Sequence, residues 1–221
     1  MSSFPIRDQK NDHLLTPKNS VLIVIDYQPP QIADILSMDR NQMIQNVVAL
    51  VKAAKLFKIP IIHSTVNVKT GMNQPPIPQI RQVTKDLPSY DRTSINAWED
   101  KEFLGAVKDA GKKKLIMAAL WTEACLSFPT LDALKEGYEV YLVVDAVGGT
   151  SPTAHEAALR RMEKAGAQPI SVIGLISELQ RDWARTETID EELKIVSGLG
   201  GVVGLQMAGM IIEKELEKDG K

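Results

Sequence analysis

KLIMAALWTEACLSFPTLDALKEG (residues 114–137) changes character halfway along. After Lys114 comes an unbroken apolar run to Leu120, the pattern of a strand buried on both faces of a sheet. An amphipathic run follows from Leu126. Pro129 fits the first turn of a helix, where its missing N–H would have no intrahelical partner anyway. A buried strand that turns into a helix within a few residues is the unit of a parallel α/β sheet. Cys125, the only cysteine of the chain, lies in the turn.

The same alternation extends in both directions. VLIVIDY (21–27) reads as a second fully buried strand, and Ile44, Val47, Val48, Val51 and Ala54 recur at helical spacing between Asp39 and Phe57, with Asp39 or Asn41 available as a cap. IPIIHSTV (59–66) is the next strand. Residues 67–91 carry four prolines and little periodicity, which predicts a long excursion bordering a pocket. A helix near 100–110, the 114–120 strand, a helix near 126–136, a strand at EVYLVVDA (139–146), a helix over 153–165, a strand at QPISVI (168–173) and a helix over 175–184 complete a doubly wound sheet. After Thr186 the rhythm changes to a short acidic helix, the glycine-rich VSGLGGVVGLQMAGMII (196–212) and a charged end. The expectation is one domain over 1–185 and a helical C-terminal extension over 186–221 that packs on a neighbouring subunit.

Composition narrows the function. The 221 residues are 44 % hydrophobic and 24 % charged with a formal net charge of −2, ordinary for one globular domain and without the basic field that nucleic acid requires. The run Lys112 to Lys114 reads as a solvated corner. A lone cysteine forms no internal disulfide, and MSSFPIRDQKNDHLL has neither the apolar core nor the cleavage site of a signal peptide, so a cytoplasmic protein is expected. Residues 196–212 fall short of the roughly 20 apolar residues that span a bilayer.

In an open parallel sheet, ligands bind beyond the carboxyl ends of the strands, which singles out Asp26, His63 to Thr65, Trp121 to Cys125, and Asp145. Cys125 has two readings. At a helix start, unpaired N–H groups and the helix dipole favour thiolate, whereas a free cysteine elsewhere simply packs. Asp26 also has two, as a general base toward that thiol or as a cap for the loop YQPPQ. Asp145 reads as a turn residue, and His155 as a helix residue near an N-terminus. Trp98 and Trp121 line an apolar pocket or belong to the core. GLGGVVG (198–204) lacks the third glycine of a dinucleotide fingerprint, and His13, His63 and His155 have no metal-ligand spacing, so neither a nucleotide cofactor nor a metal is expected.

VLIVIDYQ (21–28), LIMAALWTEACLSFPTLDALKEGYEVYLVVDAVGG (115–149), HEAALRRMEKAGAQPIS (155–171) and RTSINAWEDKEF (92–103) together resemble the isochorismatase-like cysteine hydrolases, in particular the YcaC-like subgroup, over about residues 18–185. The resemblance implies a three-layer α/β/α sandwich, a triad of Asp26, Arg92 and Cys125, and a cis peptide between Leu120 and Trp121. It also implies an oxyanion hole from the backbone N–H groups of Trp121 and Cys125, no cofactor, and a homo-oligomer acting on a small molecule. Most of the wider family has lysine where this chain has Arg92, a group that stays protonated and can stabilise an anion but not shuttle a proton; the subgroup shares the arginine. The metal-ligand pattern of the nicotinamidases is missing. Three activities follow: hydrolysis of an amide-type C–N bond through a thioester, isochorismate-type vinyl ether hydrolysis without a cysteine nucleophile, or a non-enzymatic binding or redox-sensitive assembly role. The substrate is not specified by any motif.

Overall fold

In the computed structural model, which describes residues 7–219, six strands form one parallel sheet in the order β3-β2-β1-β4-β5-β6. The strands are β1 (Ser20–Ile25), β2 (Ile61–Val66), β3 (Ser89–Arg92), β4 (Lys114–Ala119), β5 (Glu139–Val143) and β6 (Gln168–Ile170). Every residue of β1 and β4 is buried, as their unbroken apolar runs require of strands covered on both faces. Chain direction across the sheet reverses between these two strands, which makes the gap beyond their carboxyl ends the switch point where ligands of such folds bind. Register brings the ends level: Ile25 pairs with Ala119 on one side and with Ser64 on the other. Asp26, one residue on, therefore emerges between Leu120 and Thr65.

Helices cover both faces. On one side α2 (Arg40–Leu56) packs against α3 (Pro78–Thr84), α7 (Val172–Gln180) and α8 (Thr186–Ser197). The opposite layer contains α5 (Ser127–Lys135) against α6 (Pro152–Lys164), with α4 (Lys101–Asp109) beside β2. A short α1 (Pro29–Ala33) follows β1, and α9 (Gly201–Asp219) packs on α8. The starts are set by local side chains: Asp39 accepts from the Gln42 N–H, Asp100 from Phe103, Ser151 from Ala154 and Ser171 from Gly174. The three-layer doubly wound fold is as expected. Among the described residues no helix is long and apolar enough to cross a membrane.

Two local expectations are corrected. Residues 67–91 are not a structureless excursion, because they contain α3 and the edge strand β3, which pairs with β2 through Val66 and Arg92. An edge strand of four residues, SYDR, has one covered side and needs no apolar run. The 175–184 helix begins at Val172, where the Ser171 hydroxyl caps it, and ends at Gln180 before Arg181 turns left-handed (φ 59°). In the C-terminal extension, Gly200 and Gly201 (φ 71° and 62°) supply the left-handed break between α8 and α9, and α9 then runs through the remaining apolar and charged residues to Asp219.

Candidate active site

Asp26 adopts φ 63°, a conformation that aspartate tolerates better than most residues, with its N–H on the Ser64 carbonyl at 3.1 Å. Its carboxylate does not cap the following loop. Both oxygens are taken by Arg92, the last residue of β3: Nη1 lies 2.8 Å from Oδ1 and Nη2 2.7 Å from Oδ2, with both side chains fully buried. The guanidinium is fixed further by Ser64 Oγ (3.1 Å) and the carbonyls of Thr65 (3.1 Å) and Ile95 (3.2 Å). Ser64 Oγ in turn donates to the Tyr90 carbonyl at 2.7 Å, which leaves its lone pairs for Arg92. A bidentate pair of this kind defines both distance and orientation.

Cys125 approaches from the other side of the switch point. β4 is followed by a cis peptide between Leu120 and Trp121 and then a π-helical turn over Thr122–Leu126. The turn is tied down at each end. Thr122 N–H donates to the Gly148 carbonyl (3.0 Å), Leu126 N–H to the Trp121 carbonyl (3.2 Å), and Glu123 Oε1 accepts from the N–H and hydroxyl of Thr150 (2.9 and 2.6 Å). Gly149 permits this approach, since a Cβ there would lie 2.6 Å from Glu123 Oε2. The Cys125 sulfur is within electrostatic reach of the Asp26 carboxylate and of Arg92, and the Trp121 backbone favours its charged form.

Electrostatics correct one expectation. Burial, followed by the neighbouring Asp26 charge, pushes the Cys125 thiol up to about 12, and Arg92 offsets only part of this. The resting side chain is a thiol, not the thiolate that an exposed helix start would favour, because the π-helical turn places it inside the protein against an anion. Burial raises the Asp26 carboxyl against the opposing hydrogen bonds and charge of Arg92, which makes it a better proton acceptor than an exposed aspartate.

The other strand-end residues separate. Ser64 joins the site, whereas His63 and Thr65 alternate with it and direct their side chains to the opposite face of β2. The Asp145 carboxylate accepts from the Val172 N–H at 2.9 Å, the turn role expected of it. His155, in the first turn of α6, meets Thr122 Oγ1 at 2.8 Å. Trp98 is core, edge-on to Phe103 and Tyr138, with its indole N–H on Glu136. Trp121 is held at the site by its indole N–H on the Gln31 carbonyl (2.8 Å). Two residues that sequence reasoning did not single out position the surroundings. Buried Gln28 bridges Val66 and Gln74 through its side-chain amide, and Asp91 accepts from Thr65 Oγ1 and from the N–H groups of Val68 and Lys69. No group of three or more His, Cys, Asp or Glu able to hold a metal ion occurs among the described residues.

Comparison with known proteins identifies the family to which this fold belongs. Residues 20–173 match the model of the isochorismatase domain family. The chain is 36 % identical over 179 residues to the probable hydrolase YcaC of Escherichia coli, covering 80 % of this chain and 82 % of that protein. A solved structure of YcaC from Pseudomonas aeruginosa, with hexane-2,5-diol and covalent acrylamide, superposes with a TM-score of 0.83 at 32 % identity over 96 % of this chain and all of that one. The E. coli YcaC structure, an octameric hydrolase of unknown specificity, gives 0.84 at 31 % identity over 94 % and 98 %. With a buried strand-end aspartate, an arginine clamped to it and a cysteine in the turn after β4, this chain belongs to the isochorismatase family of hydrolases.

Proposed function

We propose that the chain is a cysteine hydrolase that cleaves an amide-type C–N bond of a small molecule, with Cys125 as nucleophile, Asp26 as general base and acid, and Arg92 as the fixed cation. The observation that carries this reading is the placement of the Cys125 thiol within electrostatic reach of a carboxylate whose two oxygens Arg92 already holds. Because the resting thiol is protonated, transfer accompanies attack. The S–H proton passes to Asp26 as the S–C bond forms, and the carbonyl oxygen becomes an oxyanion facing the backbone N–H groups of Trp121 and Cys125. One preorganised donor of that type is worth about 3–4 kcal/mol of barrier. The carboxylic acid then protonates the departing nitrogen, the C–N bond breaks and a thioester remains. Water attacks the thioester while Asp26 accepts its proton, and the thiol is regenerated with release of the acid.

The covalent acrylamide of the P. aeruginosa relative supports a nucleophile in this family that adds to an amide-bearing electrophile. Cys125 is the only thiol here able to do so. The octameric E. coli relative supports a homo-oligomer, and we assign its packing surface to residues 186–221, following the catalytic domain over 1–185. A screen of amides, carbamoyl compounds and hydroxamates tests the activity. Turnover is expected in the wild type and its loss, with the fold intact by circular dichroism, in Cys125→Ala and Asp26→Asn. Full turnover in Cys125→Ala would transfer the chemistry to Asp26 alone, as in vinyl ether hydrolysis.

A further inference from the structure

The face of β2 turned away from Cys125 has its own open cavity, of about 380 Å³, bordered by β2, β3, the 68–76 segment and α3. Its floor is polar, formed by His63 and Thr65, with Pro75 and Pro76 as an apolar wall and Arg81 and Lys85 at the mouth. The volume lies in the range of small-molecule sites, and an apolar wall with a few convergent polar groups is their usual composition.

Two features go beyond shape. His63 is 4 % exposed, yet its Nε2 is buried without a hydrogen-bond partner among the described residues. Native proteins rarely leave such an atom unsatisfied unless something else reaches it. Burial moves the imidazole down to about 4, so the ring is neutral near pH 7 and keeps one donor and one acceptor nitrogen. At the mouth, neither Arg81 nor Lys85 forms a salt bridge within the described residues; Lys85 acts on the neighbouring Asp86 only from beyond salt-bridge distance, so both cations can meet an anion.

We propose that this cavity is a second ligand site, separate from the cysteine centre, for a small carboxylic acid with an apolar body: the carboxylate at Arg81 and Lys85, the body against Pro75 and Pro76, and the polar floor at His63. The site also adjoins the catalytic framework, because the Thr65 side chain lines it while the Thr65 carbonyl holds Arg92. Occupancy therefore bears on strands β2 and β3 from behind.

Titration calorimetry of full-length Cys125→Ala protein with benzoate, 3-phenylpropanoate and 3-methylbutanoate tests the proposal, with benzamide as the uncharged control. Saturable binding of at least one acid is expected, at least about tenfold weaker for Arg81→Ala/Lys85→Ala and absent for benzamide, since two cations are removed or unused. The chain has three histidines, so the ¹⁵N imidazole signals of His63 are assignable by His63→Gln, and they should move on titration. No saturable binding by any of the three acids overturns the proposal. So does binding that survives in the double variant, or that leaves the His63 signals unmoved.

Discussion

The Cys125 site and the C-terminal helix invert the usual placement of residues. At the site, a carboxylate and a guanidinium are completely buried. On α9, Val202 and Leu205 are 84 % and 75 % exposed, with Ile212 and Leu216 also open to solvent. Both arrangements oppose what stability alone favours, since a buried ion pair is often no better than an apolar replacement and exposed apolar stripes are uncommon on monomers. At the site, the charges hold a proton acceptor against a thiol. The helix has a different logic: positions 202, 205, 209, 212 and 216 alternate steps of three and four, the spacing of a seam between two helices. On the proposed reading the first region serves chemistry and the second assembly.

The largest effect comes from breaking the ion pair on one side. Asp26→Ala leaves Arg92 charged in the interior and should cost about 3–5 kcal/mol, a fall of about 10 °C in melting temperature, whereas Asp26→Leu with Arg92→Met should recover most of it. A melt of Asp26→Ala equal to that of wild type would show that the pair is not buried in solution. Removing residues 201–221 should lower the mass seen by light scattering, since the exposed stripe goes with them. An unchanged mass would detach α9 from assembly.

The subtlest effect is on thiol reactivity. With Cys125 near 12, labelling by iodoacetamide should be slow at pH 7 and rise about tenfold per pH unit toward pH 10, because the thiolate fraction grows with pH below the pKa. Asp26→Asn removes the anion that raises the thiol and leaves Arg92 facing it, so labelling should quicken although turnover is lost. Arg92→Leu should slow it. Rates already at plateau at pH 7, or shifts of the same sign in both variants, would contradict this electrostatic picture.

How much of this was legible in the sequence follows from burial. β1 and β4 are readable because strands covered on both faces leave unbroken apolar runs, and the polar residues that end those runs, Asp26 and the Trp121–Cys125 turn, can then be placed at one edge. β3 was not readable, because a short edge strand carries no such signature. Arg92 stands at its end and reaches across β2, so only family resemblance pointed to it. Gln28 was invisible for a related reason: its amide satisfies backbone groups that lie 38 and 46 residues away, a relation that no local pattern encodes. The direction of the thiol shift was missed because it depends on the interior position of the π-helical turn.

The central claim, that Cys125 attacks a carbonyl carbon and holds the acyl group, is tested most directly by intact-mass spectrometry during turnover of an amide identified in the screen. The account predicts one acyl mass on the wild-type chain, mapped to the peptide containing Cys125, discharged by hydroxylamine and absent from Cys125→Ala. Sustained turnover with no acyl mass on the protein, and equal rates in Cys125→Ala, would contradict it.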